Sequence, residues 1–263
     1  VKENAGCEGV QTMIKRVLGL IRDLAMKVVG NTASEADVQR FLEKLSALAA
    51  GSTPSEPEED VIARSIFDWQ SEFVVSRAPG RLDVMGGIAD YSGSLVLQMP
   101  IAEAAHVALQ PVGRETPSPA KASKGAPLLQ LVSFGASLGG RSPTFSMPLA
   151  ELYAGPDGAP TPLAELRARF SGDVGAAWAA YPVGVLGVLL LEGESDPTLK
   201  QKLRALTHPE SSRGLSIIIG SDVPEGKGVS SSAAVEVRAW IRNQLVVVRS
   251  WGEMAGGVRW LVG

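Results

Sequence analysis

The glycine- and serine-rich stretch at residues 224–234 constrains the fold most, because it separates two segments of different periodicity. Upstream, residues 215–220 form a run rich in β-branched side chains, which predicts a strand. Downstream, residues 233–240 are compatible with a helix. Glycines let the backbone approach a ligand closely, and the first amides of a helix have no intrahelical partner. The order strand, loop, helix therefore favours a bound anion such as a phosphate group.

The same loop also has a purely structural interpretation, since serine is a favoured residue at helix N-termini. It is not a Walker A loop, because Lys227 lies between Gly226 and Gly228 and no Gly-Lys-Ser/Thr ends it. The three serines at 230–232 add hydroxyls that can donate to phosphate oxygens or ligate a hard cation such as Mg²⁺. From the residues alone, a phosphate site and an ordinary helix start both remain open.

Composition limits the class of protein. The 263 residues are 45% hydrophobic and 20% charged, with a net charge of −3, which is typical of a globular domain with an appendage. Neither a basic nucleic-acid footprint nor an apolar run long enough for a membrane span is present, so we expect neither partner. The single cysteine, Cys7, excludes an internal disulfide framework and fits a reducing compartment, so a cytoplasmic location is expected.

Along the chain, we predict a helical segment at residues 1–50, a linker at 51–70, a main domain at 71–237 and an aberrant tail at 238–263. The linker follows from the proline-rich acidic sequence of residues 51–60. Within the main domain, the patterns predict further strands at 101–109, 128–134 and 144–149, a flexible insertion at 114–127, and helices at 163–170, 176–191 and 198–206.

A second informative block covers residues 73–94. We predict a strand that ends in a turn at Pro79 and Gly80, then a loop with Arg81, Asp83 and Asp90, and a second strand at 95–99. A guanidinium offers a fork of donors with a permanent charge, and a carboxylate accepts sugar hydroxyls. The alternative is that the arginine and a nearby carboxylate form a surface ion pair worth about 0–1 kcal/mol.

The block at residues 77–94, together with residues 223–236, resembles the first and second motifs of the GHMP small-molecule kinases. The sugar-1-kinase branch is the most similar. Galactokinases carry Gly-Glu-His-x-Asp-Tyr where this chain has Gly-Gly-Ile-Ala-Asp-Tyr at 86–91, and the latter version resembles the kinase domain of plant and algal L-arabinokinases. The resemblance implies an α+β fold of the GHMP N-terminal type, like domain 2 of ribosomal protein S5, preceded by a helical segment.

The resemblance also implies roles for individual residues. Arg81 would be catalytic, stabilising charge at the sugar C1 oxygen and the transferred phosphoryl group. The sugar would be bound by Asp83, Gly87, Ile88, Asp90 and Tyr91. Mg²⁺ would be contacted by Ser232. ATP would be bound by the loop residues Pro224, Gly226, Lys227, Gly228, Val229, Ser230, Ser231, Ser232 and Ala233.

The expected reaction is ATP-dependent phosphorylation of the C1 hydroxyl of a monosaccharide, with L-arabinose as the first choice. Gly87 and Ile88 replace the Glu-His pair of galactokinases, and this smaller pair fits a pentose that lacks the C6 hydroxymethyl group. A galactokinase acting on a hexose, a non-catalytic sugar sensor and an inactive fragment remain alternatives. His106 and His208 have no metal or catalytic partner nearby in sequence, so we expect both to be structural or surface residues.

The chain departs from the family pattern after Val237. The family's Gly-x-x-Asp segment, which supplies a base toward the attacking hydroxyl, is absent, and Trp240, Trp251 and Trp260 change the composition abruptly. We therefore expect a missing C-terminal GHMP domain and an aberrant tail. The apolar faces of residues 1–50 are expected either to pack into a core or to dock against a missing upstream domain. A chain of this kind is expected to bind nucleotide weakly and to turn over slowly or not at all.

Overall fold

The computed structural model describes residues 28–29, 36–51, 57–112, 126–136, 140–225, 227–229 and 258–262, without the side chains of 28–29, 88, 90–91 and 258–262. Most of residues 1–35 of the predicted helical segment, and most of the insertion predicted at 114–127, lie outside this description. So do Gly226 and Ser230 to Ala233 of the glycine–serine loop.

Helices and strands are mixed along the chain, which confirms the α+β fold predicted from the sequence. The helices are α1 (Ala36–Ala49), α2 (Glu58–Ile66), α3 (Leu163–Ala168), α4 (Ala180–Gly193) and α5 (Pro197–Thr207). The strands are β1 (Val28–Val29), β2 (Val74–Met85), β3 (Leu97–Pro111), β4 (Leu128–Ser133), β5 (Thr144–Pro148), β6 (Gly214–Ser221) and β7 (Val258–Val262). Short 3₁₀ turns cover Gly87–Ser92, Leu149–Tyr153, Pro156–Gly158 and Ala177–Ala179.

In the described part of the chain, the strands form one sheet in the order β1-β7-β2-β3-β6-β4-β5. Strands β2 and β3 form a long antiparallel hairpin, and β3 pairs antiparallel with β6. Strand β6 is parallel to β4, which pairs antiparallel with β5. Strand β7, which lies in the segment predicted as an aberrant tail, runs parallel to β2.

Strand β6 shows how the sheet supports a hydrophobic core on each face. Ile217 and Ile219 pack into the core that includes α4 and α5, whereas Ile218 packs with α1 and α2. Successive strand residues point to opposite faces, so a strand covered on both sides needs an uninterrupted apolar run. This requirement explains why the apolar run at residues 215–220 was recognisable as a strand.

The segment predicted as a linker, residues 51–70, contains helix α2. Pro57 precedes the helix, and Glu58, Glu59 and Asp60 occupy its first turn. Proline and acidic residues are favoured at a helix start, where the dipole attracts negative charge. The same composition that suggested a linker therefore begins a helix.

The turn predicted at Pro79 and Gly80 is wrong, because β2 continues through both residues to Met85. The pairing register with β3 shifts between Pro79 and Arg81. A proline has no N–H to donate to the ladder and is tolerated at such an irregularity. On the partner strand, the predicted segments 95–99 and 101–109 form the single strand β3, with Pro100 opposite Arg81.

Candidate functional site

The glycine–serine loop starts where β6 ends, and its first residues lie against the β2–β3 hairpin. The Asp222 amide donates to the Ala104 carbonyl at 3.0 Å. Val223 is buried and packs with Ala105 and the partly buried Val229. The small apolar cluster fixes the beginning of the loop on the hairpin.

Gly80 allows the loop to approach β2 closely. A Cβ atom at this position would lie 2.8 Å from Val223 Cγ1 and 3.0 Å from the Val229 carbonyl oxygen. The next residue, Arg81, donates its amide to that same carbonyl at 3.0 Å. The two motifs that the sequence places far apart therefore meet through a backbone hydrogen bond next to Arg81.

The Arg81 side chain is half-buried, and its Nε atom is buried without a hydrogen-bond partner among the described residues. A buried guanidinium N–H that lacks an acceptor is costly unless a ligand supplies one. The structure shows no ion pair between Arg81 and Asp83, which was the alternative considered above. Asp83 instead accepts from Gln98 Nε2 at 2.5 Å across the hairpin.

The far end of the hairpin carries the other sugar-side residues of the prediction. Gly86 and Gly87 have φ values of 100° and 44°, a region that favours glycine. A Cβ at Gly86 would collide with Val96 Cγ1 at 2.7 Å, whereas one at Gly87 would meet nothing within 4 Å. The backbone of Ile88, Asp90 and Tyr91 belongs to the 3₁₀ turn Gly87–Ser92. The structure thus brings these residues to the same hairpin as Arg81.

The outer part of the loop faces solvent. Pro224, Lys227 and Gly228 are exposed, and Gly228 has a φ of 72°. Glu225 forms an ion pair with Arg141, with an Nη2–Oε1 distance of 2.7 Å. The side chain of Lys227 is thus open to solvent, and its role in binding phosphate stays a prediction.

Helix α1 contributes a charged cluster that the sequence did not predict. Asp37 Oδ2 accepts from Arg77 Nε at 2.7 Å and lies 3.3 Å from His106 Nε2. Burial by itself would raise the pKa of Asp37, but the hydrogen bond from Arg77, the charges of His106 and Arg77 and the amide of Val38 lower that pKa below its ordinary value. Partners contributed by different elements give no local sequence signal, so only the fold reveals them.

Both histidines have structural surroundings, as expected from the sequence. His106 is buried and stacks on Phe41 at a centroid distance of 5.2 Å. His208 meets the Tyr153 ring edge-on at 4.8 Å.

Among the described residues, no group of three or more His, Cys, Asp or Glu side chains could hold a metal ion. Within the same residues, none of the helices combines the length and apolarity needed to cross a membrane.

The galactokinase galactose-binding signature matches residues 64–111, which run from the end of α2 through β2 and the 3₁₀ turn to the end of β3. L-arabinokinase from Arabidopsis thaliana is 41% identical over 226 residues. That alignment covers 79% of this chain but 20% of the relative, so the chain spans about a fifth of the length of the curated protein it matches.

Two solved structures are also similar. The crystal structure of mevalonate kinase has a TM-score of 0.38 and 14% identity, covering 67% of this chain and 41% of that one. Galactokinase from Lactococcus lactis, complexed with galactose, has a TM-score of 0.37 and 17% identity, covering 63% and 30%. The chain is therefore a homologue of L-arabinokinase that carries the galactokinase galactose-binding signature, which confirms the predicted resemblance to the sugar-kinase branch of the GHMP kinases.

Proposed function

We propose that this chain forms part of an ATP-dependent sugar-1-kinase. Such an enzyme transfers the γ-phosphoryl group of ATP to the C1 hydroxyl of a monosaccharide. The observation that carries the proposal is the contact between the two motifs, in which the Arg81 amide donates to the Val229 carbonyl. This contact holds the backbone of Arg81 against a loop whose composition suits a phosphate chain. The identity to L-arabinokinase supports the same reaction class and makes L-arabinose the first substrate to test.

The described residues fit a polyphosphate. Arg81 Nε is buried and lacks an acceptor among them, and phosphate oxygens are acceptors that a guanidinium binds with two parallel hydrogen bonds. Gly228 has the positive φ that turns successive backbone amides toward one side of a loop. Lys227 is exposed and adds a second positive charge at the loop. The hydroxyls of Ser230, Ser231 and Ser232 are assigned to the phosphates by resemblance alone.

Phosphoryl transfer depends mainly on the positioning of the reacting groups and on the stabilisation of negative charge. In phosphoryl transfer, the reacting groups must be held in line, and negative charge on the transferred group must be balanced. Arg81 would supply a positive charge, and the loop amides would bind the phosphates. Mg²⁺, when bound, would neutralise phosphate charge, with Ser232 as its proposed protein contact. The base toward the attacking hydroxyl is expected in the family's C-terminal segment.

On the sugar side, the proposal assigns recognition to the hairpin. Asp83 and Asp90 would accept sugar hydroxyls, and Tyr91 would line the same pocket. Gly87 leaves open space at its Cα, and with Ile88 it would set the size of the site around the far hydroxyls. Because Gly87 and Ile88 are smaller than the Glu-His pair of galactokinases, the pocket around them would suit a pentose, which lacks the C6 hydroxymethyl group.

A second candidate substrate is galactose, because the signature that matches residues 64–111 is a galactose-binding one. The two sugars differ at the position where a hexose carries its hydroxymethyl group. If galactose is the substrate, it should bind at least as tightly as L-arabinose. Tighter binding of L-arabinose, by about tenfold or more, would favour the pentose.

The nucleotide part of the proposal is tested by titrating the 263-residue chain with Mg·ATP and comparing Arg81→Lys with the matched variant Arg213→Lys. Arg213 is exposed and lies at the start of β6, away from the loop. Lysine keeps the charge but loses the fork of donors, so Arg81→Lys should weaken binding about tenfold or more. Equal affinities for the wild type and both variants would contradict a role for Arg81 in binding ATP.

A further inference from the structure

Helix α1 lies against the sheet and makes polar contacts with both strands that lead into the candidate site. On β2, Arg77 donates from Nε to Asp37 at 2.7 Å and from Nη2 to the Ala102 carbonyl at 2.8 Å. Arg77 is four residues before Arg81 on the same strand. The helix therefore holds the strand that carries the candidate catalytic arginine.

The same helix contacts the junction between β6 and the glycine–serine loop. Arg40 Nη2 lies 2.9 Å from Asp222 Oδ2, and the amide of Asp222 is bonded to the Ala104 carbonyl. The next residue of α1, Phe41, packs on Gly220, where a Cβ would lie 2.9 Å from the ring carbon Cε2. The backbone of β6 is thus held close to the helix at Gly220, one residue before the strand ends.

These contacts connect the two motifs a second time, independently of the Arg81–Val229 hydrogen bond. Asp37 acts on the strand of Arg81, and Arg40 acts on the first residue after β6. Both come from adjacent turns of one helix, so a displacement of α1 would move the loop and the arginine relative to each other. The residues to which the resemblance assigns catalytic and binding roles lie elsewhere. Helix α1 belongs to a segment in which the sequence predicted no catalytic or binding residue.

We propose that α1 is a positioning element of the nucleotide site, and that Arg40 and Asp222 are the positioning residues that fix the start of the glycine–serine loop. The predicted effect of the pair on ATP binding rests on the proposed function, whereas its predicted effect on the position of the loop does not. Arg40 and Asp222 are 61% and 51% exposed, so the pair is solvated and its effect is modest. An exposed pair also makes a suitable test, because reversing it leaves both cores intact.

The test is a charge-reversal cycle with Arg40→Glu, Asp222→Arg and the double variant that exchanges the two charges. Glutamate is a good helix former and is favoured near a helix N-terminus, so α1 should still form. Lys200→Glu is the matched control. It makes the same change of charge and breaks the surface pair of Lys200, in α5, with Glu194, which directly follows α4.

The first measurement is hydrogen exchange of the nucleotide-free 263-residue chain at the amides of Asp222 and Arg81. Each single variant should accelerate exchange there by up to about fivefold, because local opening becomes easier. The double variant should restore the slow rate, and Lys200→Glu should leave it unchanged. Unchanged exchange in both single variants, or acceleration that the double variant does not reverse, would overturn the positioning role.

The second measurement is Mg·ATP affinity, with the thermal midpoint recorded for every variant. A positioning role predicts weaker binding, by up to about fivefold, at an unchanged midpoint, with recovery in the double variant. A lowered midpoint with unchanged affinity would mean that the pair only stabilises the fold. If the wild type binds no ATP but exchange follows the cycle, the proposed function fails while the positioning of the loop stands.

Discussion

At the scale of single residues, Gly80 determines how closely the two motifs approach. The sequence pointed to Gly226 and Gly228 as the glycines that allow close approach of backbone. The structure adds a glycine on the facing strand, since any side chain at Gly80 would meet Val223 and the Val229 carbonyl. A glycine inside a strand marks such a contact, but the sequence does not say which segment makes it.

Replacement of Gly80 by alanine should separate the loop from β2. We expect a loss of about 1–3 kcal/mol in the free energy of unfolding, because a backbone oxygen at 3.0 Å has to move. Mg·ATP binding should weaken at the same time. Urea unfolding and nucleotide titration measure the two effects.

The control for this variant is Gly184→Ala, in the middle of α4. A Cβ there would meet nothing within 4 Å, so alanine should stabilise the helix by about 0.5–1 kcal/mol and leave nucleotide binding unchanged. If both alanines had the same effect on binding, the close approach at Gly80 would not matter for the site.

Asp37 gives a prediction about pH. Its pKa in the folded chain is lowered, so its ionised form stabilises the fold above the ordinary pKa of 3.8, and this contribution is lost as pH falls through the folded-state pKa. Asp37→Asn should reduce the free energy of unfolding by about 1–3 kcal/mol at neutral pH. The difference from the wild type should shrink below about pH 4. A difference that stayed constant down to pH 3 would show that the carboxylate charge is not what stabilises this contact.

At the scale of secondary structure, segments with one clear hydrophobic periodicity were predictable from the sequence. Segments whose residues are common to two kinds of structure were not. Strand β6 and helices α4 and α5 followed from apolar runs and helical spacing. Helix α2 inside the predicted linker had no separate signal, because acidic residues and proline are common to linkers and helix starts. The strand through Pro79 was missed because a proline inside a strand depends on a register shift that only the pairing with β3 defines.

The β2–β3 hairpin has one buried end and one exposed end. Near the sheet centre, Val75 and Ala108 are fully buried, whereas Leu95, at the far end, is 100% exposed. The exposed large apolar side chains of this end are Leu82, Val84, Met85, Leu95, Leu97 and Met99. Among the hairpin side chains that the structure describes, those in the two hydrophobic cores belong to the buried end.

Two leucine-to-alanine variants test this division. Leu131 of β4 is 1% exposed, so Leu131→Ala should cost about 2–5 kcal/mol in the free energy of unfolding. Leu95→Ala should change it by no more than about 0.5 kcal/mol. Chemical denaturation of both variants measures the two changes in the free energy of unfolding. Comparable losses at the two positions would mean that the end of the hairpin is covered in solution.

At the scale of the whole molecule, the sheet of the described residues, with helices on both faces, brings distant parts of the sequence together. The Arg40–Asp222 pair joins residues separated by 182 positions, and no local pattern predicts such a contact. The motifs themselves were recognisable because their residues are contiguous. Asp90 and Ser232 keep the roles that the resemblance assigns, as predictions. The account depends most on the claim that the two motifs form one site for nucleotide and sugar.

The measurement that tests this claim most directly is calorimetric titration of the 263-residue chain with Mg·ATP, alone and with saturating L-arabinose or galactose. If both ligands share one site, the sugar that is the substrate should raise the affinity for nucleotide about fivefold or more, and the nucleotide should raise the affinity for that sugar by the same factor. A folded chain that binds Mg·ATP with an affinity indifferent to both sugars, or that binds none, would contradict the account.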